Sequence, residues 1–314
     1  MALKIIVSGE HAENIREKFL SLPDTEVVFV DHNSDVKDED CLDAEVFVGF
    51  IDKDLVARMP KLRYVQLYSA GANTYDWLPE NIKLANAYGA YGEAIGEHLL
   101  TTTLMAMKRM PDYIHLQDEQ KWERLHDVIR FKGSNILSVG MGAIGTTYLS
   151  KAHALGAKCY GVRRTVHDKP DFVEKLVAIE DLDELLPEMD VVALSLPGVE
   201  AVNGLFDERR LRLMKDTAII LNVGRGNAIV TDDLIKVMNE GHLTAACLDV
   251  TDPEPLPEGH PLWTTERVYI TPHISGGFKS GMNYESVMNI ALNNVKRILN
   301  DEEPIHVVDR KLGY

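Results

Sequence analysis

The chain has 314 residues, 45% of them apolar and 26% charged, the proportions of an ordinary globular protein with apolar material for two cores. Its 33 basic and 49 acidic residues give a formal charge of −16, which opposes phosphate backbones and anionic bilayers and argues against nucleic-acid or membrane partners. Cys41, Cys159 and Cys247 stand far apart in apolar or strand-like runs without CxxC spacing. Buried thiols in a reducing cytoplasm are expected, with no disulfide framework and no metal site.

The opening MALKIIVSGE has too short an apolar core for a signal peptide, and LKIIVSG (3–9) reads as a strand. A helix with Ile15, Phe19, Leu20 and Leu22 on its apolar face follows, then TEVVFVD (25–31), AEVFVGF (44–50), a short helix around Asp54–Met59, RYVQLYSA (63–70) and IKLANA (82–87). Val/Ile-rich runs separated by helices are what a parallel sheet covered on both faces requires. The acidic stretch DHNSDVKDEDCLDAE between two of these strands reads as a solvated connection. A long helix is predicted from Glu93 to about Tyr113, with Ile95, Leu99, Leu100, Leu104 and Met107 on one face. A second series begins at Asn135 with the strands NILSVG, AKCYGV, DVVALSL, AIILNVG, LTAACLDV and RVYIT. A last helix, roughly 282–300, carries Val287, Ile290, Ala291, Val295, Ile298 and Leu299 and precedes PIHVV.

The fold class is therefore α/β, with two doubly wound parallel-sheet domains. Without a flexible linker, the helices near 95–110 and 282–300 are expected to cross between them. The first domain is then discontinuous, 1–94 plus 282–314, and the second spans 95–281.

Within the second series, Gly140, Gly142 and Gly145 form G-x-G-x-x-G between a strand and a helix that ends near Gly156, ahead of the strand 158–162. In that context the pattern is a dinucleotide fingerprint. Gly140 allows the tight turn, Gly142 the approach of a pyrophosphate, and Gly145 close packing of helix on strand. The amides at the helix start, including those of Ala143 and Ile144, face the phosphates. Where NAD binders place an acid after the second strand, this chain has Arg163, Arg164 and Thr165. An arginine grips a 2′-phosphate that a carboxylate would repel. At roughly 1.5–3 kcal/mol per charged hydrogen bond, one such arginine shifts preference about 10- to 150-fold, so NADP(H) is expected over NAD(H), which stays possible. The missing acid also argues against a methyltransferase using S-adenosylmethionine on a similar glycine loop.

Three later segments, LNVGRGNAIV (221–230), CLDVTDPEPLP (247–257) and ITPHISGG (270–277), lie at strand ends or just after them, where open α/β sheets bind ligands. With AGA at 70–72, EAIGEHLL, VGMGAIG and HPLW, their order and spacing along essentially the whole chain resemble the D-isomer-specific 2-hydroxyacid dehydrogenase family. VVDRKLGY and PLW…RVYITPHI further resemble its glyoxylate/hydroxypyruvate reductase branch.

The resemblance implies a Rossmann cofactor domain inserted in a flavodoxin-like substrate domain, and reduction of a small 2-keto acid to the D-2-hydroxy acid or the reverse. It makes Arg225 the group that binds the substrate carboxylate and polarises the keto oxygen, tasks suited to a planar, permanently charged fork. His273 becomes the general acid of reduction and the base of oxidation, and Glu254 the carboxylate that holds its imidazole. Asp249 is matched to the acid contacting the nicotinamide carboxamide, with Val223 and Pro197 flanking that ring. Ala70 and Gly71 are matched to the loop whose amides hold the substrate carboxylate, which places the substrate between the domains. His98 and His260 fall in packing segments. A homodimer built on the crossing helix and the 110–130 region is implied as well. The chain departs from the pattern at Arg163 and in LPGVEAVNGLF, which lacks the usual threonines after the proline. Two alternatives are a nucleotide-sensing corepressor on the same fold, against which the intact Arg, Glu and His argue, and a short NAD-dependent phosphoglycerate dehydrogenase.

Overall fold

The computed structural model describes residues 2–277 and 281–310. The chain forms two compact units, Met1–Tyr91 with Phe278–Tyr314, and Gly92–Gly277. In chain order the elements are β1 (Leu3–Ser8), α1 (Glu13–Leu20), β2 (Thr25–Val30), α2 (Asp38–Asp43), β3 (Val46–Val48), α3 (Lys53–Arg58), β4 (Tyr64–Gln66) and β5 (Lys83–Ala85). The inserted unit holds α4 (Gly92–Met107), α5 (Met110–Asp118), β6 (Asn135–Val139), α6 (Ala143–Ala154), β7 (Lys158–Arg163), β8 (Val173–Ala178), α7 (Leu182–Leu185), β9 (Val191–Leu194), α8 (Glu208–Leu213), β10 (Ile219–Asn222), α9 (Thr231–Asn239), β11 (Ala245–Leu248) and β12 (Val268–Ile270). Helix α10 (Gly281–Leu299) belongs to the first unit.

The first unit is a parallel sheet of order β2-β1-β3-β4-β5, the flavodoxin-like order. Strand β1 is buried along its length and its side chains alternate between two cores. Leu3, Ile5 and Val7 meet α1 and α10 through Ile15, Phe19, Val287, Ala291 and Val295, while Ile6 packs with Val36, Cys41 and Leu55. Two expectations are corrected here. Leu20 is 58% exposed, because one residue beyond the buried Phe19 the helix has turned about 100° away from the core. The acidic stretch also contains α2, which buries Cys41 among Val36 and Ala44.

The second unit is a parallel sheet of order β12-β11-β10-β9-β6-β7-β8. Chain order reverses between β6 and β9, so the loops leaving those two strands flank the crevice where such sheets take ligands. Strand β8 was not anticipated. It is an edge strand whose adjacent Glu174 and Lys175 hide the buried Val173, Leu176 and Val177 from a period-2 reading. The single helix expected over 93–113 is in fact α4 and α5, separated at Arg109, whose φ is +53°. Pro111 explains the break: in a continuous helix its ring would clash with the carbonyl of Met107, four residues back. Arg109 is held there by Asp112 at 2.6 Å.

The three cysteines are free and buried, as expected. No helix among the described residues is long and apolar enough to cross a membrane. Of the C-terminal VVDRKLGY, residues 311–314 lie outside the described residues.

Candidate active site

In the second unit, β6 ends in the glycine turn. Gly140 has a φ of +105°, a conformation that an L side chain rarely adopts. Gly142 is the N-cap of α6 with no side chain to cap it, and the first turn of α6 carries no acid. The leading amides of a helix have no intrahelical partner and, with the dipole, suit an anion. Ala143 and Ile144 are half-buried there, and Gly145 is buried behind them. These residues fit a pyrophosphate. At the end of β7, Arg163 donates through Nη1 to the His167 carbonyl at 3.1 Å, with Arg164 and Thr165 exposed beside it. The turn and this basic corner occupy neighbouring strand ends, where a dinucleotide's phosphates and adenosine ribose would lie.

Strand β10 leads into Gly224-Arg225-Gly226, a segment pressed between two other strand ends. A Cβ on Gly224 would lie 2.7 Å from the Leu196 backbone, and one on Gly226 only 2.0 Å from the carbonyl carbon and oxygen of Thr251. Neither contact is tolerable, so the glycines on either side of Arg225 follow from packing. Asn222, 1% exposed, holds the loop: its Nδ2 donates to the Arg225 carbonyl at 2.8 Å and its Oδ1 accepts the Gly224 amide at 3.0 Å. The Arg225 side chain runs over Gly198, 3.1 Å from where a Cβ would stand. Burial lowers the guanidinium's pKa and the charge of Glu254 opposes that; arginine stays cationic under either influence. Val223 donates to the Leu194 carbonyl at 3.0 Å, and Pro197 lies half-buried in the loop after β9. Pro197 thus follows the strand beside the glycine turn, and Val223 the next strand over.

After β11 the chain passes Asp249 and reaches Glu254, set between cis prolyl bonds at Pro253 and Pro255. After β12 it reaches His273, whose Nδ1 lies 2.6 Å from Glu254 Oε1. Both side chains keep access to solvent, at 50% and 41% exposure. His273 has a φ of +51°, a region that few residues other than glycine adopt, and its amide donates to the Asp249 carbonyl at 2.9 Å.

Asp249 does more than sequence suggested. Its carboxylate, 2% exposed, accepts Thr271 Oγ1 at 2.5 Å and the amides of Ile274 and Ser275 at 2.9 and 3.0 Å. Burial pushes its pKa up, but the hydrogen bonds from Ser275, Thr271 and Ile274 outweigh it and hold the carboxyl below its ordinary value. Asp249 therefore fastens the loop that carries His273. Of the remaining histidines, His260 accepts the Leu262 amide at 3.2 Å and caps a short turn. His98, half-buried on α4, has its pKa lowered by burial, with Asp249 opposing.

In the first unit, Ala70 and Gly71 follow β4. Asn86 Nδ2 donates to the Ala70 carbonyl at 2.8 Å and Ser69 Oγ to the Gly71 carbonyl at 2.7 Å, which fixes the course of that loop. Sequence reasoning missed Asn86, Asn222 and Thr271. The available signal was a polar residue closing an otherwise apolar strand, as in ILN and KLAN.

Two parallel doubly wound sheets, one with a glycine turn at its switch point and a His–Glu pair with an arginine at strand ends, define a dinucleotide-dependent oxidoreductase. The model of the D-isomer specific 2-hydroxyacid dehydrogenase NAD-binding domain matches residues 100–275. The chain is 31% identical to a hydroxypyruvate reductase from Blautia hydrogenotrophica over 269 residues, 82% of each chain. It is 30% identical to a glyoxylate reductase from Aeropyrum pernix over 277 residues, 83% of this chain and 81% of that one. The crystal structure of a D-isomer specific 2-hydroxyacid dehydrogenase family protein from Aeromonas salmonicida superposes with a TM-score of 0.88 at 26% identity, covering 99% of this chain and all of the other. The chain belongs to the D-isomer specific 2-hydroxyacid dehydrogenase family. It is an enzyme of the NAD(P)-dependent 2-hydroxyacid dehydrogenase/2-keto acid reductase class.

Proposed function

We propose that the protein reduces a small 2-keto acid of the glyoxylate or hydroxypyruvate kind to the D-2-hydroxy acid, with NADPH preferred over NADH, and catalyses the reverse oxidation. The names of the relatives support the substrate class. The observation that carries the reading is the His273–Glu254 pair at 2.6 Å, with the charge of Glu254 felt by the partly desolvated Arg225.

The Gly92–Gly277 unit is the cofactor domain in this reading, and the unit bearing Ala70 and Gly71 the substrate domain. Gly140, Gly142, Ala143, Ile144 and Gly145 hold the pyrophosphate, while Val223, Pro197 and Asp249 border the nicotinamide. When bound, the reduced cofactor supplies hydride. Arg225 and the 70–71 amides bind the substrate carboxylate, and Arg225 polarises the keto oxygen. Because Nδ1 of His273 is taken by Glu254, Nε2 is the ring atom that gives the proton to the developing alkoxide and removes it in oxidation. Glu254 fixes the ring's orientation and tautomer.

The preference for NADPH rests on Arg163, Arg164 and Thr165 standing where an acid would bind a free 2′-hydroxyl. A second copy of the chain fits the exposed apolar side chains of Met110, Ile114, Trp122 and Val128, of which Trp122 is 99% exposed; light scattering on the purified protein is expected to give a homodimer. The free, buried thiols suit a reducing cytoplasm.

The test is the loss of reduced-nicotinamide absorbance with glyoxylate, hydroxypyruvate and bulkier 2-keto acids. Turnover of the small acids, abolished or severely reduced in Arg225→Lys, supports the proposal. An unchanged kcat/KM in that variant would remove the carboxylate clamp from it.

A further inference from the structure

Gly140 is tied to three strand ends through the two peptides it joins. Its amide donates to Val162 O, at the end of β7, at 2.9 Å. Its carbonyl oxygen accepts two hydroxyls, Ser138 Oγ of β6 and Ser195 Oγ just past β9, each at 2.9 Å. Ser138 is wholly buried. The same oxygen is what Gly145 makes room for: a Cβ there would stand 2.0 Å from Gly140 O and 2.4 Å from Ser138 Oγ. A Cβ on Gly140 would in turn lie 2.6 Å from Ser195 O. Gly145 thus clears space for the clamped carbonyl itself, and Gly140 for the Ser195 residue that helps to clamp it.

A clamped carbonyl sets the direction of the next amide. The Gly140–Met141 bond is not among the chain's cis peptides, and across a planar trans peptide C=O and N–H point in opposite directions. With the oxygen held between β6, the residue after β9 and α6, the Met141 N–H is turned away from those hydroxyls. A flipped peptide would present an oxygen to the phosphates instead.

We propose that Ser138 and Ser195 are positioning residues for the dinucleotide, a two-hydroxyl clamp that locks the Gly140 peptide in the phosphate-binding orientation. The proposal rests on the glycine turn being the pyrophosphate site. Loss of the clamp lets the flipped peptide be populated, and the apparent dissociation constant rises as the competent fraction falls. Each lost hydroxyl–carbonyl bond is expected to raise the Kd about 2- to 10-fold.

The experiment titrates NADPH or NADH, whichever binds the wild-type protein more tightly, by nucleotide fluorescence without keto acid. Ser138→Ala, Ser195→Ala and the double variant are compared with Ser195→Thr, which keeps the hydroxyl. Adenosine or 2′-AMP, which carry no pyrophosphate, are titrated alongside, and the KM for keto acid is measured at saturating cofactor. The clamp predicts a Kd raised about 4- to 100-fold in the double variant, near wild-type binding in Ser195→Thr, and no change in the adenosine probes or in that KM. An unchanged Kd in the double variant, or equal weakening of the adenosine probes, overturns it. Ala143→Glu separates the two claims: an acid in the first turn suits the helix but repels a phosphate. If it leaves the Kd unchanged, the glycine turn is not the pyrophosphate site and the clamp falls with it. If it weakens binding while the serine variants do not, the clamp alone fails.

Discussion

The Arg225 loop after β10 is pinned by Asn222 but shaped above all by side chains it lacks, whereas the His273 loop after β12 is shaped by one carboxylate borrowed from the end of β11. At Gly224 and Gly226 a single added carbon would strike backbone at 2.7 and 2.0 Å. At Thr271, Ile274 and Ser275, three donors converge on Asp249. The first design excludes alternatives sterically and gives little when altered. The second rests on hydrogen bonds and can be loosened by degrees. An arginine placed by close packing suits a fixed carboxylate clamp. A histidine on a hydrogen-bonded loop still needs its ring held, and Glu254 provides that at 2.6 Å.

The largest effect is expected at the chemistry itself. His273→Ala should lower kcat by about 10²–10⁴ in steady-state assays, with NADPH affinity retained; near-normal turnover would remove the imidazole from its role. Gly226→Ala tests the steric half of the comparison. With backbone 2.0 Å from the new carbon, the cost should reach about 3 kcal/mol or more, read as a lower midpoint in chemical denaturation. A variant as stable as wild type would show that the loop is not jammed against Thr251.

Arg163→Asp should move the NADPH/NADH ratio of kcat/KM toward NADH by about 10- to 150-fold, and no change would make Arg163 a mere surface residue. The smallest expected effect tests the hydrogen-bonded half. Asp249→Asn places an amide among donors and should cost about 1–3 kcal/mol, with a several-fold fall in kcat. The folded carboxyl lies below its ordinary 3.8, so its contribution is fully present above that pH and is lost as pH falls through the folded value. The asparagine variant should therefore lose less stability than wild type between neutral pH and pH 3. Parallel acid-denaturation curves would contradict this.

The two designs also differ in how far they can be read in advance. Glycine spacing records its own purpose, so G-x-G-x-x-G and G-R-G stood out, and the alternation of apolar strands with helices gave both sheets except β8. Hydrogen-bonding hubs leave no period. Asp249 resembles a single cofactor contact because nothing local shows that its acceptors face residues 22 to 26 positions on, and nothing in the run NILSVG marks the Ser138 hydroxyl. The break at Arg109 is invisible to apolar spacing, which runs through Met107; its one signal in the sequence is Pro111, in the first turn of α5.

In the proposed reaction hydride reaches the carbonyl carbon of a 2-keto acid held by Arg225, and the proton arrives from His273. Turnover of hydroxypyruvate with NADPH deuterated at the transferring position tests it most directly, with the product examined by mass spectrometry and chiral separation. The expected product is D-glycerate carrying one deuterium on C2. Unlabelled product, the L isomer or no product at all would contradict it.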